Sequence, residues 1–356
     1  MLKVELSIII VNWNGSELLR RSVESIVACP PPVEYEVVVI DNASTDNSLA
    51  LLKASESVDG LARTGRLRIV ENSQNRGFGQ ANNQAFALTD APLLLLLNPD
   101  TEVKLGSIER LIAAVRSGPR VGAAGPKLLN IDGSIQISAW RNPPAVWEIL
   151  LSQLKLYLLL PRRIRGELLL GGHWDHNRKR VVPMLSGAAI LARRTLIEDV
   201  GGFDERFHVY GEDNEWCFRV VRAGWQLLFE PSAVIIHHGA QSSLGRWNNL
   251  EKLRIQLEAS YLFQQHSLPH RRLITNLLAN YVTASVQHFW RRLRGIHAPH
   301  VKLAREIYWE QLKRCLSEPG AERAPRSIAG AVVANGTQPE SDKQTVAMTP
   351  GSDTNP

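Results

Sequence analysis

The chain has 356 residues, of which 44% are hydrophobic, so it can bury a sizeable core in one large domain or two smaller ones. Its three cysteines, Cys29, Cys217 and Cys315, are far apart, which excludes a disulfide framework and a cysteine-based zinc site. Residues 1–10 pass directly into a strand-like segment without a basic region or a cleavage site. We therefore expect no secretion signal and a cytoplasmic location.

The net charge of +6 is distributed unevenly along the chain. Residues 1–245 hold 26 Lys and Arg against 26 Asp and Glu, whereas residues 246–316 hold 12 against 4. A local basic excess of this kind favours an anionic surface such as a membrane as the partner. Because no nucleic-acid-reading element accompanies the charge, we expect no nucleic acid partner.

Four continuous apolar segments predict strands at residues 6–11, 35–40, 67–70 and 93–97. Helical patterns alternate with them and open at capping residues such as Ser16 and Ser44. Strands that are apolar throughout, rather than at every second residue, are typical of a mostly parallel sheet with helices on both faces. The sequence therefore predicts an α/β fold, whose ligands bind at the carboxyl ends of the strands.

Polar residues follow three of these strands directly: Asn12 and Asn14, Asp41 and Asn42, and Asn98 and Asp100. Any one of these loops alone could be an ordinary turn or helix cap. Because the ends of parallel strands meet at one edge of a sheet, their coincidence predicts a ligand site at that edge.

Asp41 could accept a hydrogen bond from the imide N–H of uracil or thymine. A helix-capping turn is the alternative, but Ser44 and Asp46 can cap the helix instead. Arg76 belongs to the glycine-containing segment 75–79, which precedes a polar helix start, so it could face phosphate oxygens there. The predicted nucleotide-binding residues are Asn12, Asp41, Asn42, Arg76 and Asn82.

Asp100 follows five consecutive leucines at the predicted edge of the sheet. A carboxylate there suits Mg²⁺ or Mn²⁺, which takes few protein oxygens and completes its shell with phosphate and water. A plain Asn-Pro-Asp turn is the alternative. The apolar residues 234–236 lead to His237 and His238, which could be ligands of the same cation or structural histidines.

Glu212 and Asp213 open a predicted helix in the second half of the chain. Acidic residues at such a position often only complement the helix dipole. A carboxylate can also act there as the general base for an incoming hydroxyl.

Residues 273–290 carry no charge and are flanked by arginines, but they are too polar for a membrane span. Their apolar residues recur at helical spacing, so we expect an amphipathic helix that docks on the domain or lies on a bilayer. From Glu318 onward the composition is rich in Gly, Pro, Ser, Thr and Ala, which predicts a disordered tail over residues 317–356.

Taken in order, several segments resemble the family 2 glycosyltransferases of GT-A fold, and within them the bacterial rhamnosyltransferase-like branch. These segments are SIIIVNWNG, VVVIDNASTDNS, NRGFGQANN, LLLLLNPDTEV, LSGAAILARR, VGGFDERFHVYGEDNEWCFRVVRAGW and VIIHHG. The resemblance implies a catalytic domain over residues 1–245, followed by a basic helical extension over residues 246–316.

The resemblance also implies roles for individual residues. Asp41 would contact the pyrimidine, and Asp100 would bind the cation at the family's Asp-x-Asp position, whose first residue here is Asn98. His237 would be the second protein ligand, with His238 as the alternative. Asp213 would be the general base, and Glu212 would position the acceptor or exchange roles with it.

The implied reaction is a single in-line displacement that inverts the anomeric carbon and requires Mn²⁺ or Mg²⁺. The expected donor is dTDP-rhamnose, with UDP-sugars as alternatives, and the expected acceptor is a glycan or lipid-linked glycan of the cell surface. The apolar residues 146–160 precede Arg162, Arg163 and Arg165, which predicts attachment to the inner face of the membrane.

Two other classes of protein remain as alternatives. A nucleotidyltransferase is disfavoured because no Gly-rich phosphate loop with Lys or Arg follows the first strand. A catalytically silent module that binds sugar nucleotides or glycans is the second alternative.

Overall fold

The computed structural model describes residues 3–207, 209–239 and 248–317. The tail that the sequence predicts from Glu318 onward lies outside the described residues.

The first hundred residues alternate between strands and helices. The elements are β1 (Leu6–Asn12), α1 (Ser16–Ala28), β2 (Tyr35–Asp41), α2 (Ser48–Lys53), α3 (Glu56–Arg63), β3 (Leu67–Glu71), α4 (Phe78–Ala87) and β4 (Leu93–Leu97). The four predicted strands are confirmed, each to within one residue. The predicted helix start at Ser44 is wrong, because that residue lies in the loop before α2 and its hydroxyl bonds to Asp41 instead.

The second half of the domain is less regular. Its elements are β5 (Thr101–Val103), α5 (Ser107–Arg116), β6 (Val121–Leu129), β7 (Ala139–Trp140), α6 (Val146–Gln153), α7 (Arg162–Leu169), β8 (Arg180–Val182), β9 (Met184–Leu185), β10 (Ala189–Arg193), α8 (Arg194–Val200), α9 (Glu212–Arg222) and β11 (Gln226–His237). Short 3₁₀ turns cover Leu156–Leu159 and Gly171–His173.

Nine strands form one sheet in the order β3-β2-β1-β4-β10-β6-β11-β5, with β8 also paired to β11. Six of them point in one direction, and β5, β8 and β10 run against them. The predicted mostly parallel α/β sheet is therefore confirmed. A separate two-stranded sheet pairs β7 with β9.

Both faces of the central sheet are covered. In β1, Ile8 and Ile10 belong to one buried cluster, whereas Ile9 and Val11 belong to the cluster on the opposite face. Because the inner strands are buried on both sides, their sequences are apolar without alternation.

Three further helices follow the sheet: α10 (Asn249–Ser267), α11 (His270–Leu293) and α12 (Pro299–Ser317). Helix α10 contributes Phe263 to the core beneath α9, where its ring meets Phe218 edge-on at 5.8 Å. Helix α11 packs on α6, and Asn276 Nδ2 donates to the Pro144 carbonyl at 3.0 Å. The sequence left two alternatives for this segment, docking on the domain or lying on a bilayer. In the structure, α11 docks on the domain.

The outer side of α11 is also apolar. Leu278, Val282, Val286, Phe289 and Leu293 recur at helical spacing and are all exposed. No helix in the described part of the chain is both long enough and apolar enough to cross a membrane.

Candidate active site

Strands β1 and β2 place Asn12 directly opposite Asp41 at the carboxyl edge of the sheet. Asn12 Nδ2 donates to Asp41 Oδ1 at 2.7 Å, and the Ser44 hydroxyl donates to the same oxygen at 2.7 Å. The Ser44 N–H donates to Asp41 Oδ2 at 3.0 Å. Asn12 is fully buried, so it fixes the Asp41 carboxylate from behind.

Asn42 connects this loop to the loop that precedes α4. Its Oδ1 accepts from the Arg76 N–H at 3.0 Å, while its Nδ2 donates to Asn75 Oδ1 at 2.9 Å and to the Gly77 carbonyl at 3.2 Å. The structure thus brings Asp41 and Arg76 to neighbouring loops. The Arg76 side chain is exposed, and its guanidinium has no hydrogen bond or ion pair to any described residue.

Two asparagines of α4 have different surroundings. Asn82 is buried, and its Nδ2 donates to the Phe78 carbonyl of its own helix at 2.9 Å. Asn83, which the sequence analysis did not select, accepts from the Phe203 N–H at 2.8 Å and donates to the Phe203 carbonyl at 2.9 Å. A Cβ at Gly202 would lie 2.2 Å from Asn83 Oδ1, so glycine is required for this contact between α4 and the segment before α9.

Asp100 and His237 meet where β5 pairs with β11. His237 lies opposite Thr101 in the register, and its Nε2 is 3.2 Å from Asp100 Oδ1. Gln136 fixes the imidazole, because its Nε2 donates to the His237 carbonyl at 2.6 Å and its Oε1 faces Nδ1 at 2.8 Å. Nδ1 therefore carries a hydrogen, and in the neutral ring the Nε2 lone pair faces a carboxylate oxygen.

Two acceptors at this separation require a proton or a cation between them, so the donor set of Asp100 and His237 fits a divalent cation. His238 is paired differently, since its Nε2 lies 2.8 Å from Glu102 Oε1. Across the described ranges, no three His, Cys, Asp or Glu side chains converge as a metal-binding cluster. Non-protein oxygens would have to complete the shell of a cation held here.

Glu212 and Asp213 begin α9, as predicted, after Gly211 at φ 92°. Asp213 Oδ2 accepts from the Gly187 N–H at 3.2 Å, and Oδ1 accepts from the N–H and the Nδ2 of Asn214 at 2.8 and 2.9 Å. The residue after Gly187, Ala188, accepts from the Asn98 N–H at 2.9 Å. The segment before β10 therefore connects the carboxylate pair to the loop that carries Asp100.

The two carboxyl groups differ in their surroundings. Burial, together with the charge of the adjacent Asp213, raises the pKa of Glu212 to about 8. Glu212 Oε2 is buried without a hydrogen-bond partner among the described residues. Burial also raises the pKa of Asp213, but donors from Gly187 and Asn214 oppose that rise. Asp213 therefore has hydrogen-bond donors that favour its ionised form, whereas Glu212 Oε2 has none among the described residues.

Asn214 extends this network toward residues that the sequence analysis did not select. Its Oδ1 accepts from Trp140 Nε1 and from Asn142 Nδ2, both at 2.9 Å. These partners lie 74 and 72 residues away in the chain, so no local motif indicates them. The Asp213 side chain is thus fixed, through Asn214, from the segment around β7.

The curled α/β sheet with its flanking helices is the GT-A fold of glycosyltransferases, and the comparisons agree. The family model described as glycosyl transferase family 2 matches residues 7–201. The chain belongs to this family and is a glycosyltransferase.

One relative is the N-acetylglucosaminyl-diphospho-decaprenol L-rhamnosyltransferase of Mycobacterium tuberculosis (strain ATCC 25618 / H37Rv). It is 30% identical over 285 residues, which cover 72% of this chain and 83% of the relative. The resemblance to the rhamnosyltransferase-like branch is therefore confirmed.

Two solved structures share the fold. A mannosyltransferase from Pyrobaculum calidifontis in complex with GDP-Man and Mn²⁺ has a TM-score of 0.52 and 16% identity, covering 88% of this chain and 87% of that one. GalNAc-T7 with UDP, GalNAc and Mn²⁺ has a TM-score of 0.50 and 19% identity, covering 73% of this chain and 50% of that one. At these identities the agreement concerns the fold alone.

Proposed function

We propose that this glycosyltransferase transfers rhamnose from dTDP-rhamnose to a hydroxyl of a lipid-linked glycan, with inversion at the anomeric carbon. The observation that carries this proposal is that Asp213 and the Asp100–His237 pair lie on one edge of the sheet, joined through Gly187 and Ala188. The rhamnosyltransferase relative supports the choice of sugar and of acceptor class. UDP-sugars are the alternative donors.

At the donor end, Asp41 accepts from the imide of the pyrimidine, and the unpaired guanidinium of Arg76 binds phosphate oxygens. Asn12 holds Asp41, Asn42 holds the Arg76 backbone, and Asn82 shapes the first turns of α4. Their contribution to nucleotide binding is therefore made through the residues they fix.

Asp100 and His237 are the residues that would hold Mn²⁺ or Mg²⁺. The cation, when bound, neutralises the charge that develops on the departing nucleoside diphosphate. Gln136 orients His237 toward Asp100, so it is a positioning residue for this site.

Asp213 takes the proton of the acceptor hydroxyl as the base. The hydroxyl oxygen forms a bond to the anomeric carbon from the side opposite the diphosphate, whose bond to that carbon breaks, and one displacement inverts the configuration. Glu212, protonated at neutral pH, can donate a hydrogen bond and positions the acceptor.

The enzyme acts at the inner face of the cytoplasmic membrane. Supporting this, exposed apolar side chains cover neighbouring elements: Leu159 is 82% exposed, Leu158 58% and Phe289 57%. Gln287 of α11 donates to the Gln153 carbonyl of α6 at 2.7 Å, so the two groups belong to adjacent parts of the surface. Exposed arginines such as Arg292 and Arg294 lie nearby in sequence and suit anionic lipids.

Release of nucleoside diphosphate from a panel of dTDP- and UDP-sugars tests the reaction. The assay is run with membrane lipid extract, with and without Mn²⁺ or Mg²⁺, on the wild type and on Asp213→Asn. We expect cation-dependent turnover of dTDP-rhamnose that falls by about 10²–10⁴-fold in the variant. Turnover of a UDP-sugar alone would refute the rhamnose assignment, and turnover of no donor would favour the silent binding module.

Flotation with anionic liposomes tests the membrane contact. We expect the wild type to float and the double variant Leu158→Ser/Leu159→Ser to float less. The matched control is Leu105→Ser/Ile131→Ser, which changes residues that are 77% and 65% exposed elsewhere on the domain. Equal flotation of all three proteins would contradict the proposed contact.

A further inference from the structure

A cavity of about 540 Å³ lies between α7 and the segment that follows the second 3₁₀ turn. Four arginines line it: Arg162, Arg163, Arg165 and Arg178. None of these residues belongs to the groups to which the proposed reaction has been assigned. Ligand sites for small molecules commonly enclose about 300–1,000 Å³, so the cavity can hold a head group of several atoms.

The positive charge in the cavity is incompletely compensated, because its four arginines face only two carboxylates in the lining, Glu167 and Asp175. Glu167 lies 3.7 Å from Arg178 and 3.0 Å from Arg180, which occupies that carboxylate. In the described part of the chain, Arg162, Arg163 and Arg165 have no carboxylate within ion-pair distance. Neighbouring guanidinium groups repel one another unless an anion lies among them, so the cavity is suited to a phosphate-bearing ligand.

Arg165 has some polar contacts, but one of its N–H groups lacks a hydrogen-bond partner among the described residues. Its Nη2 donates to the Leu160 carbonyl at 3.1 Å, and its guanidinium lies over the Tyr157 ring at 5.7 Å. Its Nε is buried and has no hydrogen-bond partner among the described residues. A buried donor of this kind is costly until an acceptor binds it.

An apolar surface adjoins the cavity. The chain that enters α7 exposes Leu156, Leu158 and Leu159, and α7 itself exposes Ile164 and Leu168. A ligand that fits both features has an anionic head and a hydrocarbon tail.

Contacts also connect the cavity to the proposed base. Gly172 lines the cavity, and a Cβ on its neighbour Gly171 would lie 3.7 Å from the Trp140 Cβ. Trp140 donates to Asn214, which binds Asp213. The wall of the cavity is therefore linked to the base through Trp140 and Asn214.

We propose that this cavity binds the diphosphate that joins the lipid to the glycan of the acceptor. The inference rests on the proposed function, in which the acceptor is lipid-linked. Arg162, Arg163 and Arg165 bind the phosphate oxygens, the exposed leucines contact the first part of the hydrocarbon tail, and the sugar beyond the diphosphate reaches toward Asp213.

Binding of farnesyl diphosphate to the full chain, measured by calorimetry, tests this site. EDTA and saturating dTDP are present. The probe then binds neither through a cation at Asp100 and His237 nor at the nucleotide site. The wild type is compared with Arg162→Gln/Arg163→Gln and with the control Arg271→Gln/Arg272→Gln, which removes an equally exposed arginine pair at the start of α11. We expect the Kd to rise at least about tenfold in the first variant and to stay unchanged in the control.

Two further probes separate the possible sources of phosphate. Inorganic pyrophosphate should bind more weakly than farnesyl diphosphate, and equal binding would identify a site for free phosphate. Glycerol 3-phosphate, the soluble head group of a phospholipid, should not displace the probe at the same phosphate concentration, and displacement would identify a general phospholipid site. Either result, or an equal loss in both arginine variants, overturns the proposal.

These binding measurements do not require the enzyme to transfer sugar. Absence of sugar transfer would refute the proposed function while leaving the diphosphate binding intact. Normal donor hydrolysis with no loss of binding in Arg162→Gln/Arg163→Gln would refute the cavity assignment alone. Thermal unfolding of both variants at the wild-type temperature confirms that they are folded.

Discussion

Asn214 binds the Asp213 carboxylate twice, through its backbone N–H and its side-chain amide, and both bonds end on Oδ1. The same amide receives Trp140 and Asn142 from the far side. The proposed base is therefore oriented by the residue that follows it, and that residue is oriented by a distant segment. The protonation of Asp213 should depend on the two donors from Asn214, whose amide Trp140 holds even without Asn142.

We predict that Asn214→Ala moves the acidic limb of the kcat/KM profile to higher pH. The variant removes one donor to the anion, so the pKa of Asp213 rises further above its ordinary value. A hydrogen bond to a charged group is worth about 1.5–3 kcal/mol, which corresponds to a shift of roughly one to two pH units. Asn142→Ala, which loses a contact to Asn214 only, should leave the limb in place. A uniform loss of rate without a shift would assign Asn214 a merely structural role.

Glu212→Gln should stabilise the protein at alkaline pH. The folded-state pKa of Glu212 is raised to about 8, so the folded protein retains a proton that the unfolded chain loses at lower pH. Stability therefore falls as pH rises from the unfolded pKa toward 8, and the variant avoids a loss of at most about 5 kcal/mol. Urea unfolding at pH 5 and pH 9 measures this. An advantage of the variant that is equal at both pH values would contradict the prediction.

His237→Ala should raise the Mn²⁺ concentration needed for half-maximal turnover by about 10- to 100-fold. The reason is that its Nε2 faces Asp100 at 3.2 Å. His238→Ala is the matched control, because that imidazole faces Glu102 instead. If His238→Ala has the larger effect, the ligand assignment must be exchanged. Cation titrations of the three proteins decide between the two.

Asp41→Asn should weaken binding of dTDP and UDP by roughly tenfold or more, since a lost acceptor for a buried donor costs about 1–3 kcal/mol. Asp46→Asn is the control within the same loop, because Asp46 accepts from the Ser16 and Ser48 N–H groups and caps the loop. Equal losses in both variants would indicate that Asp41 only maintains the loop. Calorimetric titration of each nucleotide gives the affinities.

The sequence predicted best those features that depend on residues adjacent in the chain. Apolar runs identified β1, β2 and β4 because these strands are buried on both faces, whereas β3 lies at the edge of the sheet and is only partly buried. The start of α9 was predicted correctly because Gly211 and the two carboxylates are adjacent in the chain. The family resemblance, rather than any periodicity, supplied the roles of the site residues.

What the sequence could not indicate depends on distant partners. Gln136 reaches His237 across 101 residues, and Asn83 reaches Phe203 across 120. The positions of Gln136 and Asn83 in the sequence do not distinguish residues that make such hydrogen bonds from ordinary surface residues. The predicted helix start at Ser44 was wrong for a related reason, since the Ser44 hydroxyl donates to Asp41, which lies opposite Asn12 on the neighbouring strand.

The position of Phe263 has a practical consequence. Its ring is completely buried in the core beneath α9, and Ala259 of the same helix lies close to Gly211, just before the two carboxylates. A shortened protein that ends before α10 would leave this part of the core open to water. Engineering of a more easily handled enzyme should therefore keep all three terminal helices and change only their outward-facing side chains.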